Sequence, residues 1–369
     1  NCFKSCHRLT LPKNLLIILI MILLNIIARC SNAFSDFYVE YIFPYIMICF
    51  SFITGLFPFS VGELLIKIGI IAVILGIPSF IILMIFRKRS RKKIAIAYCT
   101  AALWILTFIL STETTNCFIM YQCTKFSEKY FSVGQHDTEQ LVQLYNILAE
   151  KVNELSENVK RDSSGMFKLT SDLNENAKKA MKNISGEYSQ LEGFYPNAKA
   201  ISSSFFMSQN NLLGIYFPFS LEANYNPDVY DINLPDTVCH EFAHLKGIIQ
   251  EDEAGFIAFI ACINSDNAEF QYSGCINALE YVHNEMYKQK IDMSSPNIVK
   301  VSDNVIKDWF LFVPEEYWEE NKEKEIISTE TVETISDFTS DTSLKLNGVE
   351  DGTKSYCRIV NLLLDYYFS

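Results

Sequence analysis

The sequence predicts an α+β protein with three N-terminal transmembrane helices, followed by a mainly helical domain that carries a small β-sheet. Hydrophobic residues make up 49% of the 369 residues, and the longest apolar runs all lie before residue 113. Runs of about 20 apolar residues are typical of membrane helices. Beyond residue 113, helical periodicity alternates with short β-prone runs. We therefore divide the chain into a membrane region, residues 1–112, and a second domain, residues 113–369.

Three apolar runs are predicted to cross the bilayer, at about residues 14–30, 64–86 and 94–112. The segment between the first two runs, about residues 36–60, is broken by Pro44, Gly55 and Pro58. Because such residues interrupt a spanning helix, we predict that this segment lies at the membrane interface. The alternative that residues 40–57 also cross the membrane stays open.

A basic run, Arg87–Lys93, separates the second and third predicted spans. Short loops rich in lysine and arginine stay on the cytoplasmic side of a membrane. With three spans, everything after the third then lies on the extracytoplasmic side. The sequence therefore predicts a multi-pass cell-membrane protein, in contact with the lipid bilayer, whose second domain faces outward.

The second domain begins with a strong helical pattern over residues 137–160, where Asp137 can cap the helix and apolar residues recur at helical spacing. Two β-prone runs follow, Lys199–Met207 and Leu212–Phe219, separated by polar residues. This arrangement predicts a hairpin. An exposed strand edge of such a hairpin could hold an extended polypeptide, and a purely structural sheet is the alternative.

The residues that indicate chemistry are His240-Glu241-Phe242-Ala243-His244. On a helix, histidines at i and i+4 lie on one face, within reach of a single metal ion. The glutamate between them can take a proton from a zinc-activated water and return it to a leaving amine. The pattern predicts a Zn²⁺ site with His240 and His244 as ligands and Glu241 as the catalytic base and acid.

The surroundings of this pentapeptide agree with a short helix. Pro235 and Asp236 are typical of a helix start, with Asp236 as a capping residue, and Gly247 is typical of a helix end. An acidic helix start follows at Glu251-Asp252-Glu253. A catalytic zinc ion takes three protein ligands and leaves a fourth position open, and this acidic cluster is placed to supply the third ligand.

Glu251-x-x-Ala254, following His-Glu-x-x-His, resembles the Glu-x-x-Ala/Ser-Asp signature of the gluzincin peptidases. The resemblance implies a zincin-like metallopeptidase fold, with Glu251 as the third zinc ligand. The chain departs from the signature at Gly255, where many gluzincins have an aspartate that supports a ligand histidine. The spacing from His244 to Glu251 is also short, so Glu253 stays open as an alternative ligand.

The wider chain resembles an uncharacterised bacterial family of membrane-anchored proteins that carry such a motif. Beyond the motif, the likeness rests on three segments: Pro58–Glu63, Gly214–Phe219 continuing to Asn224, and Ser355–Val360. The resemblance implies a membrane anchor followed by a metallopeptidase-like domain. It implies no particular substrate.

The sequence thus predicts a membrane-anchored zinc metallopeptidase that acts on a peptide or protein. A zinc- or peptide-binding sensor without catalysis is the alternative. Tyr356 or Arg358 could stabilise the oxyanion, although a structural helix start is also consistent with them. His283 is more typical of a packing residue. The net charge of −12 and the lack of a basic, aromatic stripe argue against nucleic acid as a partner.

Overall fold

The computed structural model describes residues 12–349 and 358–368 of the chain. These residues are mostly helical. The helices are α1 (Lys13–Cys30), α2 (Asn32–Phe37), α3 (Phe43–Thr54), α4 (Val61–Phe86), α5 (Arg91–Glu113), α6 (Phe126–Tyr130), α7 (Thr138–Ser156), α8 (Leu173–Ser185), α9 (Ser204–Gln209), α10 (Leu234–Leu245), α11 (Glu251–Ile263), α12 (Ala268–Lys288), α13 (Asp303–Asp308), α14 (Tyr317–Glu320), α15 (Thr329–Leu346) and α16 (Ile359–Phe368).

The predicted small sheet is present, but the predicted hairpin is wrong, because the two runs predicted to pair with each other contain strands that are not neighbours in the sheet. Strands β1 (Lys199–Ala200), β2 (Gly214–Phe217) and β3 (Glu222–Tyr225) are arranged in the order β1-β3-β2. The antiparallel pair is β2 with β3, and β1 pairs with β3 in parallel. Residues 204–207, predicted as strand, lie in α9, because the buried Phe205 and Met207 pack inward from a short helix.

Within residues 12–349 and 358–368, four helical segments are long and apolar enough to cross a membrane, one more than predicted: Lys13–Cys30, Asn32–Thr54, Val61–Phe86 and Lys88–Gln122. The additional segment contains α2 and α3, joined by a π-helical turn, and covers most of the region predicted to be interfacial. It is also the most buried of the four, at 33% of its apolar window. Composition alone did not separate a lipid-facing helix from one that packs against protein.

Two contacts define how the long apolar helices are oriented relative to one another. Asn25 Nδ2 donates to Thr114 Oγ1 at 2.7 Å, so the last turns of α1 lie beside the end of α5. Ser79 Oγ lies 2.7 Å from Tyr98 OH, so the end of α4 lies beside the start of α5. We call the end of this bundle that is remote from the basic run Arg87–Lys93 the domain end.

The segment 32–54 packs directly on the rest of the chain. Val39, Phe43 and Met47 are buried in the same hydrophobic cluster as Phe242 and Phe256. A side chain added at Gly247, which follows α10, would meet Val39 Cγ1 at 3.1 Å and Phe43 Cδ1 at 3.4 Å. The helix that carries the motif therefore rests, at its C-terminal end, on the N-terminal apolar helices.

Helix α15 is held mainly through its ends. Near its start, Asn211 Nδ2 donates to Glu333 Oε1 at 2.9 Å and Gln209 Nε2 donates to the Ile327 carbonyl at 3.0 Å. At its end, Arg29 Nη2 donates to the Leu346 carbonyl at 2.8 Å. Val332 and Leu344 are the buried residues of this helix, and most of its surface is exposed.

Candidate metal centre

Helix α10 presents the motif as predicted from the pentapeptide. Pro235 lies in its first turn, where the missing N–H is not needed. Gly247 has φ +81°, and the N–H of Ile248 donates to the Ala243 carbonyl at 3.2 Å, which closes the helix end. The predicted capping role of Asp236 is wrong. This residue lies inside the first turn of α10, where its carboxylate accepts a hydrogen bond from Asn277 Nδ2.

Three side chains converge in the way that the sequence predicts. His240 Nε2 lies 3.0 Å and His244 Nε2 lies 3.7 Å from Glu251 Oε2. One ligand atom from each residue lies within 4.8 Å of the others. Ligand atoms around a tetrahedral zinc ion are separated by about 3.3 Å, given bonds of about 2.0–2.1 Å. The donor set and its spacing therefore fit a metal ion.

The orientation of His244 is fixed from two sides. Its Nδ1 lies 2.7 Å from the Ile248 carbonyl, an acceptor only, so Nδ1 carries the proton and donates it. The Tyr216 ring lies 5.8 Å from the His244 ring, centroid to centroid, and Tyr216 OH donates to the Asn116 carbonyl at 2.9 Å. The lone pair of Nε2 is therefore directed toward Glu251, as a metal ligand requires.

Burial and the nearby carboxylates shift the pKa values of the two histidines in opposite directions. Burial disfavours the charged form of His240, but the hydrogen bond and charge of Glu251 outweigh this effect and raise its pKa to about 9. For His244, burial dominates and lowers the pKa to about 4. Without a metal, His240 and Glu251 therefore form an ion pair beside a neutral His244, and a metal ion would displace one proton from His240.

Glu241 lies next to this cluster and has an unsatisfied oxygen. Its Oε2 is buried and has no hydrogen-bond partner in the described part of the chain. Burial raises the pKa of Glu241 to about 8, with His240 opposing and Glu251 reinforcing the shift. The other oxygen lies against β2, since a Cβ at Gly214 would come within 2.5 Å of Glu241 Oε1. An unpartnered buried carboxylate oxygen is suited to receive a proton from a bound molecule.

Glu253, the alternative ligand, points elsewhere. It is fully buried, and its two oxygens accept hydrogen bonds from Ser127, from the backbone N–H at 2.8 Å and from Oγ at 2.6 Å. Glu251 and Glu253 are two residues apart and face different sides of α11. The geometry therefore favours Glu251 over Glu253 as the third ligand.

At Gly255, where many gluzincins have an aspartate, a neighbouring side chain leaves little room for a larger residue. A Cβ there would lie 3.9 Å from His240 Nδ1 and 3.0 Å from Ile359 Cδ1. One turn before His240 on its own helix lies Asp236, whose pKa is raised to about 7 by burial, with His240 opposing the shift. In this chain, a side chain at residue 255 cannot support His240 unless Ile359 moves.

The remaining predicted residues have separate outcomes. Tyr356 lies outside the described residues. Arg358 Nε lies 3.0 Å from Asp252 Oδ2 at the start of α11. His283 packs edge-on against the Trp309 ring, with the centroids 4.9 Å apart, as expected of a packing residue.

A cleft surrounds the triad, and its walls come from distant parts of the chain. One wall contains α10 and α11, and the strand β2 borders it. Cys117 and Tyr121, in the segment that continues α5, also line the cleft. A second wall is formed by α15, through Ser336, Asp337 and Ser340. The cleft is therefore bounded in part by the extension of an apolar helix.

Sequence reasoning missed Gly214, Asn277 and the α15 wall. A glycine directly before a β-prone run was a weak signal for the close approach of Gly214 to Glu241. No local pattern links Asn211 with Glu333, which are 122 residues apart. The composition of α15, rich in Glu, Ser and Thr, indicates only a solvated helix.

The fold and site thus define a class: a helical protein with several N-terminal apolar helices and a His-Glu-x-x-His helix backed by a carboxylate. The chain belongs to the family described as "Protein of unknown function (DUF3810)", whose sequence profile matches residues 38–364. The match begins in the segment 32–54 and ends in α16, so it covers α4, α5 and the residues of the cleft, while α1 lies before it. No curated protein and no solved structure matches the chain.

Proposed function

We propose that this protein is a membrane-anchored, gluzincin-like zinc metallopeptidase that hydrolyses peptide bonds. The observation that carries the proposal is the convergence of His240 Nε2, His244 Nε2 and Glu251 Oε2 beside the unpartnered Glu241 Oε2. In this proposal His240, His244 and Glu251 hold Zn²⁺. When bound, zinc lowers the pKa of a water molecule and polarises the scissile carbonyl.

Glu241 performs the proton transfers in this proposal. Its carboxylate accepts a proton as water attacks the carbonyl carbon, and it donates that proton to the amine that leaves. In the metal-free site burial raises the pKa of Glu241 to about 8. The positive charge of a bound zinc ion would lower this pKa and favour the ionised carboxylate that accepts the proton. The contact with Gly214 limits where the carboxylate can move.

Strand β2 supports a polypeptide as the substrate. It is an edge strand, because the order β1-β3-β2 pairs only one of its sides. The N–H of Asn226 donates to the Leu213 carbonyl at 2.7 Å, so the backbone groups of Leu213 face β3. In an antiparallel pair, the backbone groups of every second residue face the partner strand. The backbone groups of Gly214 and Tyr216 then point away from β3. An extended peptide can add to such an edge beside Glu241.

We also propose that three of the four apolar segments cross the membrane, with the site on the extracytoplasmic side. The segment 32–54 begins after Arg29 and ends before Glu63, and both of these residues lie at the domain end. A segment that starts and finishes at one end of the bundle does not cross it. The basic run Arg87–Lys93 then faces the cytoplasm.

The test compares the purified full-length protein with Glu241→Gln, and with Glu330→Gln on the exposed α15 as a matched control. We expect about one zinc ion per chain in all three proteins. Cleavage of a peptide library should fall about 10²- to 10⁴-fold in Glu241→Gln only, and a chelator should abolish it in the wild type. Absence of zinc, with Glu241→Gln indistinguishable from wild type, would refute the proposal.

Gly255 favours a second candidate function, a zinc- or peptide-binding sensor without catalysis. The side chain that supports a ligand histidine in many gluzincins is missing, and Ile359 lies close to the position where it would begin. Loss of such support weakens metal binding or activity by roughly 10- to 100-fold. A sensor would bind zinc and peptide in the wild type and cleave nothing, an outcome that the same library experiment separates from peptidase activity.

A further inference from the structure

We propose that α15 lies on the surface of the lipid bilayer, with one face among the lipids and another face over the cleft. This inference concerns how α15 is placed and does not depend on peptidase activity. It rests on the distribution of side chains around α15, on its attachments and on the position of the cleft relative to the apolar helices.

The side chains of α15 fall into separate faces. The inner face contains the buried Val332 and Leu344 and the cleft-lining Ser336 and Ser340, which recur at intervals of four. A second stripe is apolar and exposed: Ile335 is 58%, Phe338 is 74% and Leu346 is 69% exposed. At about 100° per residue, this stripe is centred roughly 130° around the helix axis from the inner face. The apolar stripe is therefore turned away from the cleft.

The acidic residues of α15 avoid the apolar stripe. They recur at intervals of three or four along a third face: Glu330, Glu333, Asp337 and Asp341. The one basic residue of the helix, Lys345, borders the stripe, and its Nζ reaches Asp341 Oδ2 at 2.6 Å on the acidic face. An apolar face beside a charged face is a feature of helices that lie in a membrane interface. Because the charged face of α15 is acidic, its binding to lipid would come from the apolar stripe and not from attraction to anionic headgroups.

The attachments of α15 place both of its ends near the domain end of the apolar helices. Its last residue is bound by Arg29, at the end of α1. Its first turns are bound by Gln209 and Asn211, which end and follow α9, and α9 is itself held at the start of α4. There the Glu63 carboxylate accepts hydrogen bonds from the Ser202 and Ser203 N–H groups at 2.9 and 2.8 Å. A helix fixed at both ends to the rim of the bundle runs along the membrane surface.

The cleft lies at the same level. Cys117, which lines it, is four residues beyond Glu113, the last residue of α5. Four residues of helix rise about 6 Å. The inner face of α15 therefore covers a cleft close to the lipid headgroups. In a membrane, lipid covers the exposed apolar surfaces of α1 and α4, and we infer that the same lipid also covers the apolar stripe of α15.

The experiment uses the full chain in phosphatidylcholine vesicles. Benzoylphenylalanine, a photoreactive amino acid, replaces Phe338 in one variant, Glu330 on the acidic face in a second and Ile74 in a third. Ile74 lies within α4 and is 62% exposed, so it reports lipid contact. Only preparations in which the Ile74 variant gives a lipid adduct by mass spectrometry are scored.

We expect the Phe338 variant to form several-fold more lipid adduct than the Glu330 variant. Equal adduct formation at the two positions would overturn the proposal. An adduct of twice the chain mass at Phe338 would also overturn it, because a second copy would then cover the stripe. Peptidase activity is not measured, so failure here is distinct from failure of the proposed function.

Discussion

The two walls of the cleft differ in how they are held. The wall formed by α10 and α11 is built from buried residues: Phe242, Phe256 and Ala254 have no exposed surface. The wall formed by α15 has two buried residues and is attached mainly through hydrogen bonds at its ends. The side chains of the proposed metal centre all lie on the first wall. Since local opening costs least where few apolar contacts are made, the second wall is the part that can move.

Removing one aromatic ring from each wall should give the largest difference between the two walls, measured as loss of stability. Phe242 is fully buried, and its ring lies 5.2 Å from that of Tyr195, whereas Phe338 is 74% exposed. Phe242→Ala should cost about 3–5 kcal/mol of stability. Phe338→Ala should change the stability in detergent by no more than about 0.5 kcal/mol. Thermal unfolding of the two variants measures the difference, and equal losses would mean that α15 is as tightly packed as α10.

Acidic residues on the two walls give the second prediction. Glu251→Gln removes a carboxylate that contacts both histidines, so zinc affinity should fall by more than the roughly 100-fold that loss of an outer partner can cost. Asp337→Asn, on the second wall, should leave zinc affinity unchanged. Competition with a chelator measures both.

Glu253→Gln is the matched control for this pair, because it alters the same turn of α11. It disturbs the hydrogen bonds from Ser127 and should destabilise the fold by about 1–3 kcal/mol without a selective loss of zinc. If Glu253→Gln lost zinc and Glu251→Gln kept it, the assignment of the third ligand would be reversed.

The pH dependence of zinc binding is the smallest expected effect and concerns the first wall alone. The pKa of His240 is raised to about 9 in the metal-free protein, so His240 carries a proton at neutral pH that it must lose to bind zinc. Affinity should therefore rise with pH, about tenfold per pH unit between roughly pH 7 and 9, and level off above that. Zinc titrations at several pH values measure the slope, which Asp337→Asn should not change. A flat profile would contradict the His240–Glu251 ion pair.

Local sequence patterns predicted the helices and helix ends that depend on residue spacing, capping residues and turn residues. The helix over the motif, its closure at Gly247 and the capped helix at Asp137 follow from spacing and from turn residues, and all three are present. The preference for Glu251 over Glu253 came from a resemblance, and the geometry favours it because Ser127 takes both oxygens of Glu253.

The parts that failed depend on contacts between distant residues. Residues 204–207 were predicted as strand because apolar and aromatic residues suit either structure, and burial of Phe205 and Met207 selected a helix. The segment 32–54 has a composition that suits lipid or protein equally, and its contact with Gly247 was not readable from the sequence. The α15 wall depends on hydrogen bonds across more than 100 residues, such as that of Asn211 with Glu333, 122 residues apart.

The close approach of Gly214 to Glu241 leaves very little steric tolerance at this position. A single methyl group at residue 214 would stand 2.5 Å from Glu241 Oε1 and 2.7 Å from Thr237 Cγ2, both below the normal separation. Gly214→Ala should therefore displace the carboxylate of Glu241, while its charge, its chemical identity and the side chains of the proposed metal centre are kept. This variant would test the effect of the position of the Glu241 carboxylate alone, whereas replacing Glu241 changes its chemical identity as well.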